Sequence, residues 1–283
     1  MVRKYLVNRK FDLLAILSVV MVLFLAGCGK TTSAHASSTR ASNSTIASAT
    51  LRRMPEGAAT ISWDQPSKGL TIKIALVGMA PNSTHPANIY AGSCVKQGGV
   101  AQPLQNVVAD AHGVGLSTTV IKNVMTLPAS GWNITVHNGP GLAPADQFLP
   151  IVCSDLAFTH FSPASSLSVQ VPLNTAPGSG ASGTAHLTIS GKTLTVKLTM
   201  SGLQPHSSHA AHIHAGTCAS QGAVVYNLQN VVANASGNAD VTTTIHNVSS
   251  IPGHIWFVNV HYGTNVSTQT GYNPIACGDV VVG

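Results

Sequence analysis

The chain has 283 residues, enough for one large domain or two ordinary ones. Only 8% are charged and long Glu/Lys helix faces are absent, which argues against a helical bundle and for a turn-rich β protein. The formal charge of +6 misleads: 14 basic residues less Arg3, Lys4, Arg9 and Lys10, against 8 acidic less Asp12, leave about +3 and no basic stripe, so nucleic acid is not an expected partner.

In chain order, residues 1–27 combine a basic start, the apolar run Leu13 to Ala26 and small residues, the three parts of a secretory signal. The signal ends in Leu25-Ala26-Gly27-Cys28, which resembles the lipobox of bacterial lipoproteins. That resemblance implies a lipidated Cys28 as the first mature residue and an anchor in the membrane. An uncleaved span is the alternative, since an apolar run of this length nearly crosses a bilayer. Both readings place the remainder outside the cytoplasm, at the cell surface or in a periplasm. Residues 28–56 are rich in Ser, Thr and Ala, and read as a tether.

Beyond the tether the chain repeats itself. Thr84-His85-Pro-Ala-Asn88-Ile-Tyr90-Ala-Gly-Ser-Cys94 matches Ser208-His209-Ala-Ala-His212-Ile-His214-Ala-Gly-Thr-Cys218 at an offset of 209 − 85 = 124. The same offset relates Leu104–Asp110 to Leu228–Asn234, Trp132 to Trp256, His137 to His261, Cys153 to Cys277 and Asp155 to Asp279. Two equal units read as tandem domains rather than a short-period solenoid: 57–171 and 184–283, joined by a Pro/Gly/Ser-rich linker at 172–183. In the second copy, alternating segments are predicted as strands at 185–190, 193–201, 210–215, 224–228, 239–245, 254–262 and 279–282, separated by turn residues. Seven or so short strands per copy indicate an all-β fold of two antiparallel sandwiches.

The densest chemistry lies at His209-Ala-Ala-His212-Ile-His214. On a strand, residues two apart share a face, so His212 and His214 leave the sheet together while Ala211, Ile213 and Ala215 face the core. His261 falls on the less apolar side of Trp256-Phe-Val-Asn-Val-His261, and the three imidazoles are candidate ligands of one metal ion, set against the alternative of ordinary polar strand residues. His206, His246 or His254 could add a fourth ligand, and His35, His112, His160 and His186 read as surface residues. His209 and its counterpart His85 read as scaffold, because His85 persists where Asn88 and Tyr90 replace the metal pair.

Removing Cys28 from the five cysteines leaves an even set. The repeat pairs them as Cys94–Cys153 and Cys218–Cys277, disulfides suited to an exported protein. Asp155 and Asp279, each two residues after a cysteine, read as partners for backbone N–H groups rather than as catalytic acids.

With H-x-x-H-x-H at His209, His212 and His214, then Cys218, Gly237–Asp240, Val258–His261 and Ala276-Cys277-Gly278, the second copy resembles the copper/zinc superoxide dismutase superfamily and the related CHRD (chordin-type) domain. The first copy follows the pattern more weakly. The resemblance implies a Greek-key β-sandwich with an intradomain disulfide, and copper held by His212, His214 and His261, with superoxide or copper itself as the small-molecule partner. Departures are specific. Val224 stands where the dismutases carry the histidine that bridges copper and zinc, Gln221 to Val232 contains no zinc ligand, and Pro274 replaces the superoxide-steering arginine. One copper and no zinc is therefore the expectation, with weak turnover or none. The alternative is a metal-free CHRD-type structural or partner-binding module.

Overall fold

A computed structural model describes residues 44–283; the signal-like segment, Cys28 and the start of the expected tether lie outside the described residues. The first element is already a departure from the sequence reading. Thr45–Arg53, inside the expected tether, forms strand β1. Its alternation is built from small residues: Ala47, Ala49 and Leu51 are buried, while Ser48, Thr50 and Arg52 face out. Alanine satisfies the period-2 pattern as well as valine does where a strand is sandwiched tightly, and a Ser/Thr/Ala composition hides it.

The first copy follows as β2 (Glu56–Asp64), β3 (Gly69–Val77), β4 (Thr84–His85), β5 (Ala87–Gly92), β6 (Gln97–Pro103), β7 (Val107–Ala109), β8 (Gly115–Ile121), β9 (Trp132–His137), the one-turn helix α1 (Ala145–Phe148), β10 (Pro150–Leu156) and β11 (Leu167–Thr175). The second runs as β12 (Ser182–Ser190), β13 (Thr193–Ser201), β14 (Ser208–His209), β15 (Ala211–Thr217), β16 (Ser220–Asn227), β17 (Val231–Val232), β18 (Ala239–His246), β19 (Trp256–His261), α2 (Gln269–Tyr272), β20 (Pro274–Asp279) and β21 (Val281–Val282). The offset of 124 carries α1 onto α2 and β9 onto β19 without a shift. The all-β expectation holds. The strand predicted at 193–201 is β13 as it stands, whereas the strand expected at 279–282 is β21 at Val281–Val282, preceded by β20, which was not among the predicted strands.

Two large antiparallel sheets result, in the orders β16-β15-β19-β20-β1-β12-β13-β18 and β4-β7-β8-β3-β2-β11-β10-β9-β5-β6. Each curls over its own apolar core. Leu187, Leu194, Leu198, Ile213, Val258 and Val260 anchor one; Ile61, Ile72, Ile74, Ile89, Ile134 and Val136 anchor the other.

The offset of 124 sets β1 against β11, each leading into one copy, and these two closing strands are traded: β1 joins the sheet of β12 to β20 and β11 that of β2 to β10. β11 precedes β12 in the chain but pairs with β2 through Leu167↔Trp63 to Leu173↔Gly57, and with β10. β1 precedes β2 but pairs with β12 over seven residues and with β20. Pro172, expected in the linker, therefore sits within β11. It is tolerated because β10 pairs only with Asn174 and Thr175, so no ladder bond needs the missing N–H. The connection between copies narrows to residues 176–181, and the expected independent domains form one compact unit.

Both disulfides are formed, Cys94–Cys153 and Cys218–Cys277, each with a Cα separation of 5.9 Å. Asp155 and Asp279 accept the backbone N–H of Cys94 and Cys218 at 2.7 Å, so each carboxylate fastens the loop its own disulfide closes.

Candidate metal centre

Strands β15 and β19 are neighbours, with His212 opposite Asn259 and His214 opposite Phe257. The inner face of this pair carries Ala211, Ile213, Val258 and Val260 into the core, so the histidines leave on the outer face, as the alternation requires. That face is not open. All six residues of β19 are buried, and Phe257 packs with Met54 and the Cys218–Cys277 disulfide. The ring of His214 stacks on Phe257 at 5.0 Å.

His212, His214 and His261 converge, each offering one nitrogen within 4.8 Å of the others. Two nitrogens bound to one ion at about 2.0–2.1 Å lie no more than about 4.2 Å apart, so a small side-chain adjustment brings the triad into coordination range. Hydrogen bonds fix the tautomers. His261 Nδ1 is 2.5 Å from the Tyr272 carbonyl and His214 Nδ1 is 3.1 Å from the Gly222 carbonyl. A carbonyl only accepts, so both Nδ1 atoms carry the proton and both Nε2 atoms are unprotonated. His212 Nδ1 donates to His261 Nε2 at 2.9 Å. The Nε2 of His214 is buried and has no hydrogen-bond partner at all. Such an orphan costs about 1–3 kcal/mol in an apo protein and is what a metal ligand requires.

The electrostatics agree. Burial lowers the pKa of His261 to about 3, opposed by its bond to Tyr272, and that of His214 to about 4; burial also lowers His212. All three shifts favour the neutral ring, the form that binds a cation. Among the described residues no carboxylate joins the group. His206, His246 and His254, considered as a fourth ligand, do not join it either. Asn259 and Gln221 are both buried on this part of the molecule, and neither side chain makes a hydrogen bond to protein.

The scaffold histidines fall outside the triad. His209 Nδ1 donates to the carbonyls of His261 and Tyr262 at 3.0 and 2.8 Å, and its Nε2 lies 2.7 Å from Ser207 Oγ. His85 repeats the arrangement with His137 O and Ser83 Oγ, both at 2.8 Å. Each locks the end of its β9 or β19 strand to the chain before it.

In the first copy the same place is closed by hydrogen bonds. His137 Nδ1 donates to Phe148 O at 2.6 Å, as His261 does to Tyr272. The hydroxyl of Tyr90 donates to His137 Nε2 at 2.9 Å, and Asn88 Nδ2 donates to that hydroxyl at 3.2 Å. Tyr90 fills with its own oxygen the space that the second copy leaves to lone pairs.

Residues 163–268 match the family model of the CHRD domain. The matched stretch runs from just before β11 to the turn before α2, and contains His212, His214 and His261. It counts β11 with the second copy, although β11 pairs with the first. No curated protein matches the chain. The CHRD half of the resemblance is thereby supported, and the superoxide dismutase half rests on the residues alone.

What sequence reasoning missed is α2. Tyr272 supplies the carbonyl that orients His261, and its ring lies 4.6 Å from that imidazole and 6.4 Å from His214. The signal was present in the constant offset, which sets Tyr272 against Phe148, but nothing in a four-residue helix announces its reach.

Proposed function

We propose that the second copy, its CHRD-matching part included, is a metal-binding module in which His214 Nε2, His261 Nε2 and a ring nitrogen of His212 hold one copper ion, which replaces the hydrogen bond between His212 Nδ1 and His261 Nε2. The observation that carries this is the buried Nε2 of His214, unpartnered among the described residues, beside an unprotonated His261 Nε2 whose present donor is the third ring of the triad. Imidazole suits both copper and zinc, and the preference for copper comes from the resemblance. Copper bound there would supply one-electron redox chemistry. The protein's own part is to hold three neutral rings on rigid strands, to keep protons off them by burial, and to fix the tautomers through Tyr272 and Gly222.

Superoxide dismutation is the narrower reading. Val224 and Pro274, at the positions of the bridging histidine and the steering arginine, leave the site without a cation to draw in an anion, so copper storage or buffering fits these residues better than rapid turnover. The N-terminal sequence supports an exported, lipid-anchored setting for either role. A second reading is a metal-free structural or partner-binding module, which the CHRD match supports in general and which the closed network around Tyr90 favours for the first copy.

Copper titration of the purified full-length chain, followed by visible and EPR spectra, tests the proposal. The expected result is one tightly bound ion per chain, lost in His212→Ala/His214→Ala. No binding, or binding unchanged in that variant, would leave the structural module as the function.

A further inference from the structure

The ligand-orienting helix α2 is held by the other copy. Gln269 accepts the backbone N–H of Thr84 at 3.0 Å and donates to the Thr84 carbonyl at 2.7 Å, so one side-chain amide occupies both groups of a residue in β4. At the far end of the helix, Asn273 Nδ2 donates to the backbone carbonyl of Asn138 and to its Oδ1, the latter at 2.7 Å. Thr84 and Asn138 are adjacent to His85 and His137, the scaffold histidine and the strand-end histidine of the first copy. Between these two anchors lies Tyr272, whose carbonyl receives the proton of His261.

The first copy has no such clamp on its own helix. At the offset of 124, Gln269 corresponds to Ala145 and Asn273 to Leu149, neither of which has a side-chain donor or acceptor. The clamp is thus present on the helix beside the open triad and missing beside the network closed by Tyr90. A site satisfied by its own hydroxyl needs no outside support. Three rings held together by one ring-to-ring hydrogen bond and one unpartnered nitrogen do, because the carbonyl that fixes His261 sits on a single turn of helix.

We infer that the first copy is a positioning scaffold for the second: Gln269 and Asn273, anchored on Thr84 and Asn138, are positioning residues that hold Tyr272 and through it the tautomer and ring plane of His261. The inference rests on the metal-binding reading for its consequence, though not for its geometry.

The test is Gln269→Ala/Asn273→Leu, which gives α2 the residues that the first copy carries, made in the full chain. Loss of an outer partner of a ligand weakens metal binding by about 10- to 100-fold. Copper affinity should fall within that range and the EPR spectrum should change, while circular dichroism and the disulfides stay as in the parent. A metal-independent readout separates this inference from the proposed function. In the apo protein, the His261 Nδ1–H should exchange with solvent faster in the variant, and a Gln269→Glu chain below the pKa of the new carboxyl should restore its protection. Unchanged exchange and an unchanged spectrum would overturn the clamp, whether or not the parent binds copper. Faster exchange in a parent that binds no copper would uphold the clamp and remove the metal.

Discussion

The two copies place a histidine at the end of the same strand, bond it to the same carbonyl of the same one-turn helix, and then give its other nitrogen different donors. In the first, Tyr90 donates to His137 Nε2 and Asn88 supports Tyr90; in the second, the donor to His261 Nε2 is His212 Nδ1, itself an imidazole, and His214 Nε2 beside them has no partner among the described residues. Everything around the difference is shared: the scaffold histidines His85 and His209, the disulfides, and the aspartates that bind Cys94 and Cys218. The fold therefore does not need the triad. Two side chains on one strand decide whether the site is a hydrogen-bond network or a set of ligands, which is how a function is grafted onto an architecture.

The largest break in the comparison should come from β1. Both sheets require a strand between their two halves; the first copy takes it from β11, in the interior of the chain, and the second takes it from the N-terminus. Truncation before Met54 removes the pairing with β12 and the buried Ala47, Ala49 and Leu51, and leaves the first copy its full sheet. Calorimetry should show the second copy losing its cooperative transition while the first keeps one. A single transition shifted as a whole would mean that the copies do not fold as separable cores.

Next come the disulfides. Both close loops with a sequence separation of 59, for which chain entropy gives roughly 4 kcal/mol each. Cys218–Cys277 also packs against Phe257 and Met54, so Cys218→Ala/Cys277→Ala should cost more than Cys94→Ala/Cys153→Ala in denaturant titrations. Equal losses would show that this packing contributes nothing measurable.

Acid should separate the copies less strongly. Burial lowers His85 to about 4, so the folded protein keeps it neutral while the unfolded chain titrates near the ordinary 6.5. The unfolded state then binds the extra proton as pH falls from 6.5 toward 4, and stability is full above that window and declines through it, by up to about 3 kcal/mol for this ring. Unfolding free energies at pH 7 and pH 4.5 should show the decline, and His85→Gln should make it shallower by the share of this ring, leaving the shares of His214 and His261. An unchanged slope in that variant would assign the acid sensitivity to other groups.

How much of this was legible without coordinates follows from what each feature depends on. A face-sharing triad depends on strand period and on a repeat that fixes the register of equivalents, and both are written in the sequence; so are the cysteine pairs. β1 was hidden because alanine and serine alternate without contrast in hydrophobicity, and the strand exchange because pairing partners more than a hundred residues apart leave no local trace. The support from Thr84 to Gln269 belongs to the packing of one copy on the other, which no pattern within either copy encodes.

The smallest free energy belongs to the most informative change, Asn88→His/Tyr90→His, which writes the second copy's triad into the first. The imidazole put in place of Tyr90 should carry the same unpartnered nitrogen as His214, so the apo protein should be less stable by about 1–3 kcal/mol, the cost of an orphaned buried acceptor. Copper should restore that loss, and titration should find two ions per chain instead of one. The new site should bind more weakly than the native one, by about tenfold or more, because Ala145 and Leu149 give its helix no anchor. The reverse change, His214→Tyr, should abolish binding at the native site without destabilising the apo chain, since it removes the unpartnered Nε2 and puts there the phenol that the first copy carries. Two ions of equal affinity would mean that three imidazoles on this strand pair are sufficient by themselves. Unequal affinities would show that the second copy's site depends on its neighbour.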